Sequence, residues 1–273
     1  MENLAGSHFI NRASLGKIRS SIGRFVKQIS RVRRGMVLAS LSQSVNSSGG
    51  FSLMSTLRMG IIFDCDGTLL DSMGAWIEVE EELARRAGTQ LTRAESDLLT
   101  TLTIPEAGDF FHERCGLGSC GADAVLMMDE LILDYYRTRA SERPGALAFV
   151  RSLAERGVRM SVASSSPQPY LQAGLELTGF MPYLDHVVSV DDVGKSKREP
   201  AVYDYTRDLM GTPLETTWGF EDSAYALRTL RAARYRTVGI YDNDLSGTFE
   251  ELVALSDRAI KSFEELDGAV FPH

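Results

Sequence analysis

The sequence predicts an α/β protein: a Rossmann-like parallel sheet core with an inserted helical cap. Three observations lead there. Short apolar runs of strand length recur from residue 59 onward. Most are separated by roughly 10–15 residues with the spacing of an amphipathic helix, the mark of repeated βαβ units. One gap, between the first two runs, breaks the rhythm and is helical in pattern almost throughout.

In chain order, strands are predicted at residues 60–64, 158–163, 186–190, 217–221 and 237–241, with a weaker one near 258–260. Helices are predicted at 146–155, 170–178, 202–210 and 224–233, and within the gap at 75–87, 92–102, 107–115 and 122–139. The domains follow: a basic, Ser-rich extension over 1–58, a core from 59–73 and 142–273, and a helical cap over 74–141. A helical insertion after the first strand would sit over the strand tips, where open parallel sheets collect ligands.

Composition narrows the class. A 44% hydrophobic and 24% charged content fits a globular chain, and no apolar run approaches the roughly 20 residues of a membrane span. The net charge of −8 hides a division. Residues 1–58 carry nine Lys or Arg against the single acid Glu2, leaving 20 basic and 36 acidic residues in the body. An acidic body argues against nucleic acid as its partner. Cys65, Cys115 and Cys120 lack disulfide or zinc spacing and read as free thiols of a reducing compartment, the cytoplasm.

The extension stands apart. Leu15, Ile18, Ile22, Phe25, Val26, Ile29 and Val32 follow helical spacing, with Arg and Lys between them, and Ser/Gly-rich sequence follows. Three readings stay open: an organellar targeting peptide, a membrane-surface helix, or sequence upstream of a start at Met54 or Met59. The first would move the protein from the cytoplasm to an organelle.

The chemistry gathers at predicted strand ends. The run Ile61-Ile62-Phe63 ends in Asp64-Cys65-Asp66-Gly67-Thr68, two carboxylates on one face of an extended chain. One can attack or hold a metal while the other moves protons. Gly67 lets the backbone turn and approach a ligand. An EF-hand loop is excluded, since Thr68 and Ala75 stand where an acid or amide and a Glu are needed.

The second run ends Ser164-Ser165-Ser166-Pro167, where Ser166 reads as a helix cap, and a helix N-terminus past a strand tip seats phosphate. Lys195 and Lys197 lie in a cationic cluster before Pro200, able to neutralise phosphate or crowded carboxylates. Glu221-Asp222-Ser223 ends another run in two acids, which with Asp64 make an oxygen-rich site of the Mg²⁺ type.

Taken in this order, the motifs from Met59 to about Ile260 resemble the haloacid dehalogenase superfamily. Asp64-Cys65-Asp66-Gly67-Thr68 matches its first motif, Ser164 its second, Lys197 its third with Lys195 as fallback, and Glu221-Asp222-Ser223 its fourth. The insertion resembles the small helical cap of the phosphoglycolate phosphatase and β-phosphoglucomutase branch. The resemblance implies a Mg²⁺-dependent phosphatase acting on a small phosphorylated metabolite through an aspartyl-phosphate.

Asp64 would be nucleophile and Asp66 acid and base. Asp64, the Asp66 carbonyl, Asp222 and Glu221 would hold the metal, and Ser164, Ser165, Lys197 and Gly67 would bind the phosphate. A β-phosphoglucomutase-like mutase is the alternative. The cap loop over 101–109 has no Lys or Arg to hold a second phosphate, which favours hydrolysis. A non-catalytic binding protein on this fold would be expected to lose one of these acids, and all are present. No oligomeric state is assigned.

Overall fold

The computed structural model describes residues 59–99, 102–243 and 246–266. The expectations for residues 1–58 fall outside the described residues. Six parallel strands form one sheet: β1 (Gly60–Phe63), β2 (Arg159–Ser164), β3 (His186–Ser189), β4 (Thr217–Glu221), β5 (Arg236–Ile240) and β6 (Arg258–Ile260). Their order is β3-β2-β1-β4-β5-β6. The chain runs outward to β3, returns past β1 to β4 and continues outward the other way. The crevice therefore opens at the carboxyl ends of β1 and β4.

Strand β1 is buried along its whole length, as a central strand covered on both faces must be. Ile61 and Phe63 belong to one core and Ile62 to another, following the alternation of side chains across a strand. On the first face Phe63, Phe149, Phe220 and Phe263 pack together, with Phe63 and Phe220 at 4.9 Å between ring centroids and Phe149 and Phe263 at 5.4 Å. On the second face Ile62 meets Ala163, Val188, Val202, Tyr203 and Leu230. Phe63 pairs with Val162 on one side and Phe220 on the other, so the three strands end nearly level.

Between β1 and β2 lie α1 (Met73–Arg86), α2 (Arg93–Leu99), α3 (Ile104–Cys115) and α4 (Gly121–Thr138), then α5 (Ala146–Glu155). Helix α3 starts at a capping box in which Thr103 and Glu106 satisfy each other's end of the turn, and it stops at Gly116 in the left-handed conformation. The two chain segments that join these helices to the sheet are bonded to each other. The Asp71 amide donates to the Ser141 carbonyl at 3.0 Å and the Arg143 amide to the Leu69 carbonyl at 2.9 Å. Leu70 and Glu142 form an antiparallel bridge between them. Helix α4 packs on α6 (Gln168–Leu177), where Tyr136 stacks on Tyr170 at 5.5 Å and 15°. Gly174 makes room for this stack, since a Cβ there would lie 2.8 Å from the Tyr136 ring.

The remaining helices are α7 (Val190–Val193), α8 (Ala201–Met210), α9 (Ala224–Ala232) and α10 (Phe249–Leu255). Two of these, α7 and α10, were not predicted. Each is short and held by its cap, Ser189 accepting from the Asp191 amide and Thr248 from the Glu251 amide. One expected cap is corrected. Helix α6 starts at Gln168 with Pro167 as its N-cap, because the Ser166 hydroxyl turns inward to Asp66.

Candidate active site

Asp64 follows the last residue of β1, and its amide donates to the Phe220 carbonyl of β4 at 2.9 Å. That bond fixes the carboxylate at the sheet's switch point, 6% exposed. Lys197 Nζ donates to Asp64 Oδ1 at 2.5 Å and to Glu221 Oε1 at 2.6 Å, and it is 2% exposed. The Tyr203 hydroxyl, from α8, donates to the same Glu221 oxygen at 2.7 Å. Lys195 instead pairs with Glu199 at 3.0 Å on the surface. The structure thus brings one of the two candidate lysines to Asp64.

The buried charges are unevenly matched. Burial pushes the Asp64 and Glu221 carboxyls up, Glu221 to about 7, against the opposing pull of Lys197. Asp222 is held well above the usual carboxylate range by burial and by the charges of Asp64 and Glu221. For Lys197, burial acts downward, and the two carboxylates outweigh it and raise its pKa. One ammonium serves three acids, and the site has room for more positive charge.

An oxygen-ligated divalent cation fits that deficit. Asp64, Glu221 and Asp222 each offer a carboxylate oxygen, all within 4.8 Å of one another. Glu221 Oε2 is buried without a hydrogen-bond partner, an arrangement that is costly unless something else meets it. The donor set is all hard oxygen, as Mg²⁺ prefers. Gly67, at φ +77°, lies so close that a Cβ would meet Asp222 Oδ2 at 2.5 Å. Gly67→Ala is expected to destabilise the protein by about 1–3 kcal/mol through backbone strain and this clash. A urea midpoint unchanged from wild type would refute that.

Asp66 sits apart from the acid cluster in a ring of hydroxyls. Ser72 and Tyr136 both donate to its Oδ1, Ser72 at 2.5 Å, and Ser166 donates to Oδ2 at 2.5 Å. Tyr136 reaches it from α4, so the helical insertion touches the motif directly. Ser164 is buried, its hydroxyl accepting from the Ser166 amide at 3.0 Å. Ser165 is exposed, and Tyr225 lies in the first turn of α9. Sequence reasoning missed Ser72, Tyr136, Tyr203 and Tyr225, and read Ser166 only as a helix cap. Ser72 stood beside a motif already noted, but nothing in their spacing marked the tyrosines.

The model of the haloacid dehalogenase-like hydrolases matches residues 59–234. The chain belongs to this family. Among curated relatives, hexitol phosphatase B of Escherichia coli K12 is 27% identical over 190 residues, 68% of this chain and 85% of that protein. The putative phosphatase YhcW of Bacillus subtilis is 24% identical over 213 residues, 77% of this chain and 94% of that one. In fold, this haloacid dehalogenase-like hydrolase is similar to a CbbY variant from Rhodobacter sphaeroides solved with xylulose-(1,5)bisphosphate. That likeness has a TM-score of 0.67 at 24% identity and covers 79% of this chain and all of the other. Among the described residues of this family member, no helix is long and apolar enough to cross a membrane.

Proposed function

We propose that this haloacid dehalogenase-like hydrolase is a Mg²⁺-dependent phosphatase of small phosphorylated metabolites, with Asp64 as nucleophile. The observation that carries the reading is the Asp64 carboxylate at the β1 tip, bonded to a buried Lys197 and flanked by two further buried acids. Phosphatase names among the relatives agree with it.

In this reading Asp64 attacks phosphorus in line and the ester oxygen departs with a proton from Asp66. Asp66 then takes a proton from the water that hydrolyses the aspartyl-phosphate. The hydroxyls of Ser72, Tyr136 and Ser166 orient Asp66 for both transfers. Lys197 and Ser164 hold the non-bridging oxygens, with backbone amides near Gly67 and Ser165 assisting. Asp64, Asp222, Glu221 and the Asp66 carbonyl would hold Mg²⁺, which when bound would offset the charge of phosphate among carboxylates. Residues 74–141 act as the cap, admitting substrate when they swing away from α6.

Hydrolysis is favoured over mutase chemistry by the insertion's arginines. Arg85, Arg86, Arg93 and Arg114 have side chains 39–84% exposed and pair with Glu82, Asp97 and Glu95 on the insertion itself. The test is phosphate release from a panel of sugar and small-metabolite phosphates with and without Mg²⁺. Interconversion of glucose phosphates without net release would give the mutase reading instead.

Metal binding has its own readout. The raised carboxyls contribute stability below their unfolded pKa values and lose it as pH rises, for Glu221 between about 4.5 and about 7. Mg²⁺ competes with those protons, so it should raise Tm more at pH 7.5 than at pH 5.5. A hundredfold excess over Kd corresponds to about 2.7 kcal/mol. Equal shifts at both pH values would count against these three acids as ligands.

A further inference from the structure

A groove of about 360 Å³ runs along the outside of α9, lined by Arg198, Pro200, Arg228, Thr229, Ala232 and Ala233. No acid lines it, although the body of the chain is strongly acidic. Tyr225, Arg228, Thr229 and Ala232 fall at helical spacing and share one face of α9. Tyr225 is at the active-site end of that face, and Arg228 lies one step outward, about 4.5 Å along the axis. The alanines leave the space open.

Arg198 joins the groove to the site. It follows Lys197 directly, and its guanidinium lies over the Tyr225 ring at 5.1 Å. Tyr225 in turn lies in the first turn of α9, three residues after Asp222. The stack holds the Arg198 charge in place. No carboxylate lies within ion-pair distance of Arg198 among the described residues, whereas Lys195 beside it pairs with Glu199. Arg228 bonds Glu251, an exposed pair whose remaining N–H groups are free to take an anion. Thr229 Oγ1 already donates to the Tyr225 carbonyl at 3.2 Å, so the groove's donors are the two guanidiniums.

We propose that the Arg198–Arg228 groove binds an oxyanion, phosphate or carboxylate, beside the candidate active site. Two arginines on the lining of one small open space can offer guanidinium forks to a planar or tetrahedral oxyanion. The anion is either a second charged group on the substrate or a separate small anion, and the same variants distinguish the two. The kinetic part rests on the phosphatase reading; the binding part does not.

The experiment starts with the full chain without Mg²⁺, titrated with sodium sulfate while backbone amide shifts are followed. Saturable shifts are expected at residues 198 and 199 and over 225–233. Arg198→Ala should weaken them about tenfold or more, and Arg93→Ala on α2, with the same charge change, should not. Absence of saturable shifts, or equal effects of the two variants, overturns the proposal.

With Mg²⁺, KM is compared for glycerol phosphate and phosphoglycerate. A rise confined to phosphoglycerate in Arg198→Ala supports the proposal and assigns the anion to the substrate. Sulfate dependence of glycerol phosphate hydrolysis that Arg198→Ala removes supports it with a separate anion. If no monoester is hydrolysed, the phosphatase reading fails and the sulfate titration still decides the groove.

Discussion

Asp64→Asn is expected to reduce Mg²⁺-dependent phosphate release by a factor on the order of 10⁵ while leaving the fold intact. The amide keeps the carboxylate's shape but cannot attack phosphorus. Stability should hold or rise. Burial raises the Asp64 carboxyl, so the ionised form costs the folded state free energy at neutral pH that the amide does not. Lys197 keeps its bond to Glu221 at 2.6 Å and is not orphaned. The check pairs a phosphate-release assay with thermal unfolding. A folded variant retaining more than about one-hundredth of the activity would place the nucleophile elsewhere.

Lys197→Met is expected to produce the largest loss of stability of any single change at the site. It removes the one ammonium between two buried carboxylates, and breaking a buried pair by deleting a partner costs about 3–5 kcal/mol. The loss should depend on pH. Glu221 has a pKa of about 7 with Lys197 pulling it down, so without the ammonium it rises further. At pH 8 the variant must either ionise Glu221 beside Asp64 without a counter-charge or take up a proton to avoid it. At pH 5.5 it keeps its proton and the repulsion is relieved. Urea unfolding of both proteins at the two pH values reads this difference, and an equal penalty at each would refute the electrostatic account. Activity should fall about 10²–10³-fold, as for loss of a preorganised charge that meets the transition state.

Much of the sheet was legible because its signals are local. Thr217–Glu221 and Arg258–Ile260 have their predicted bounds, and the other four strands differ by one residue at one or both ends. The signals depend on continuous apolar runs ending in polar residues, which buried parallel strands enforce. Helices α7 and α10 escaped because they are short and depend on capping more than on an apolar face. Helix α2 is described to Leu99, and residues 100 and 101 of the predicted stretch to 102 lie outside the described residues.

The candidate site divides along the same line. Asp64, Asp66, Glu221 and Asp222 could be named because each lies at the end of an apolar run. Choosing between Lys195 and Lys197 needed three dimensions, since both lie in one cationic loop. Tyr136 is 70 residues from Asp66 in sequence, and no local pattern announces that contact. Ser166 was misread because a Ser before Pro is an ordinary helix start, and only the inward turn of its hydroxyl shows another use.

The paired segments at residues 69–71 and 141–143 have a consequence for how such a chain diversifies. Its helical detour leaves and rejoins the sheet at one hydrogen-bonded doorway, so the ends of the detour are held together whatever lies between them. Closing a longer or shorter excursion changes the entropy only logarithmically, about 0.6 kcal/mol for each doubling. Helices can be lengthened, replaced or recombined beyond that doorway without shifting β1, provided the Tyr136 hydroxyl still reaches Asp66. The sheet holds the strand tips in place, and the doorway leaves what reaches them free to vary.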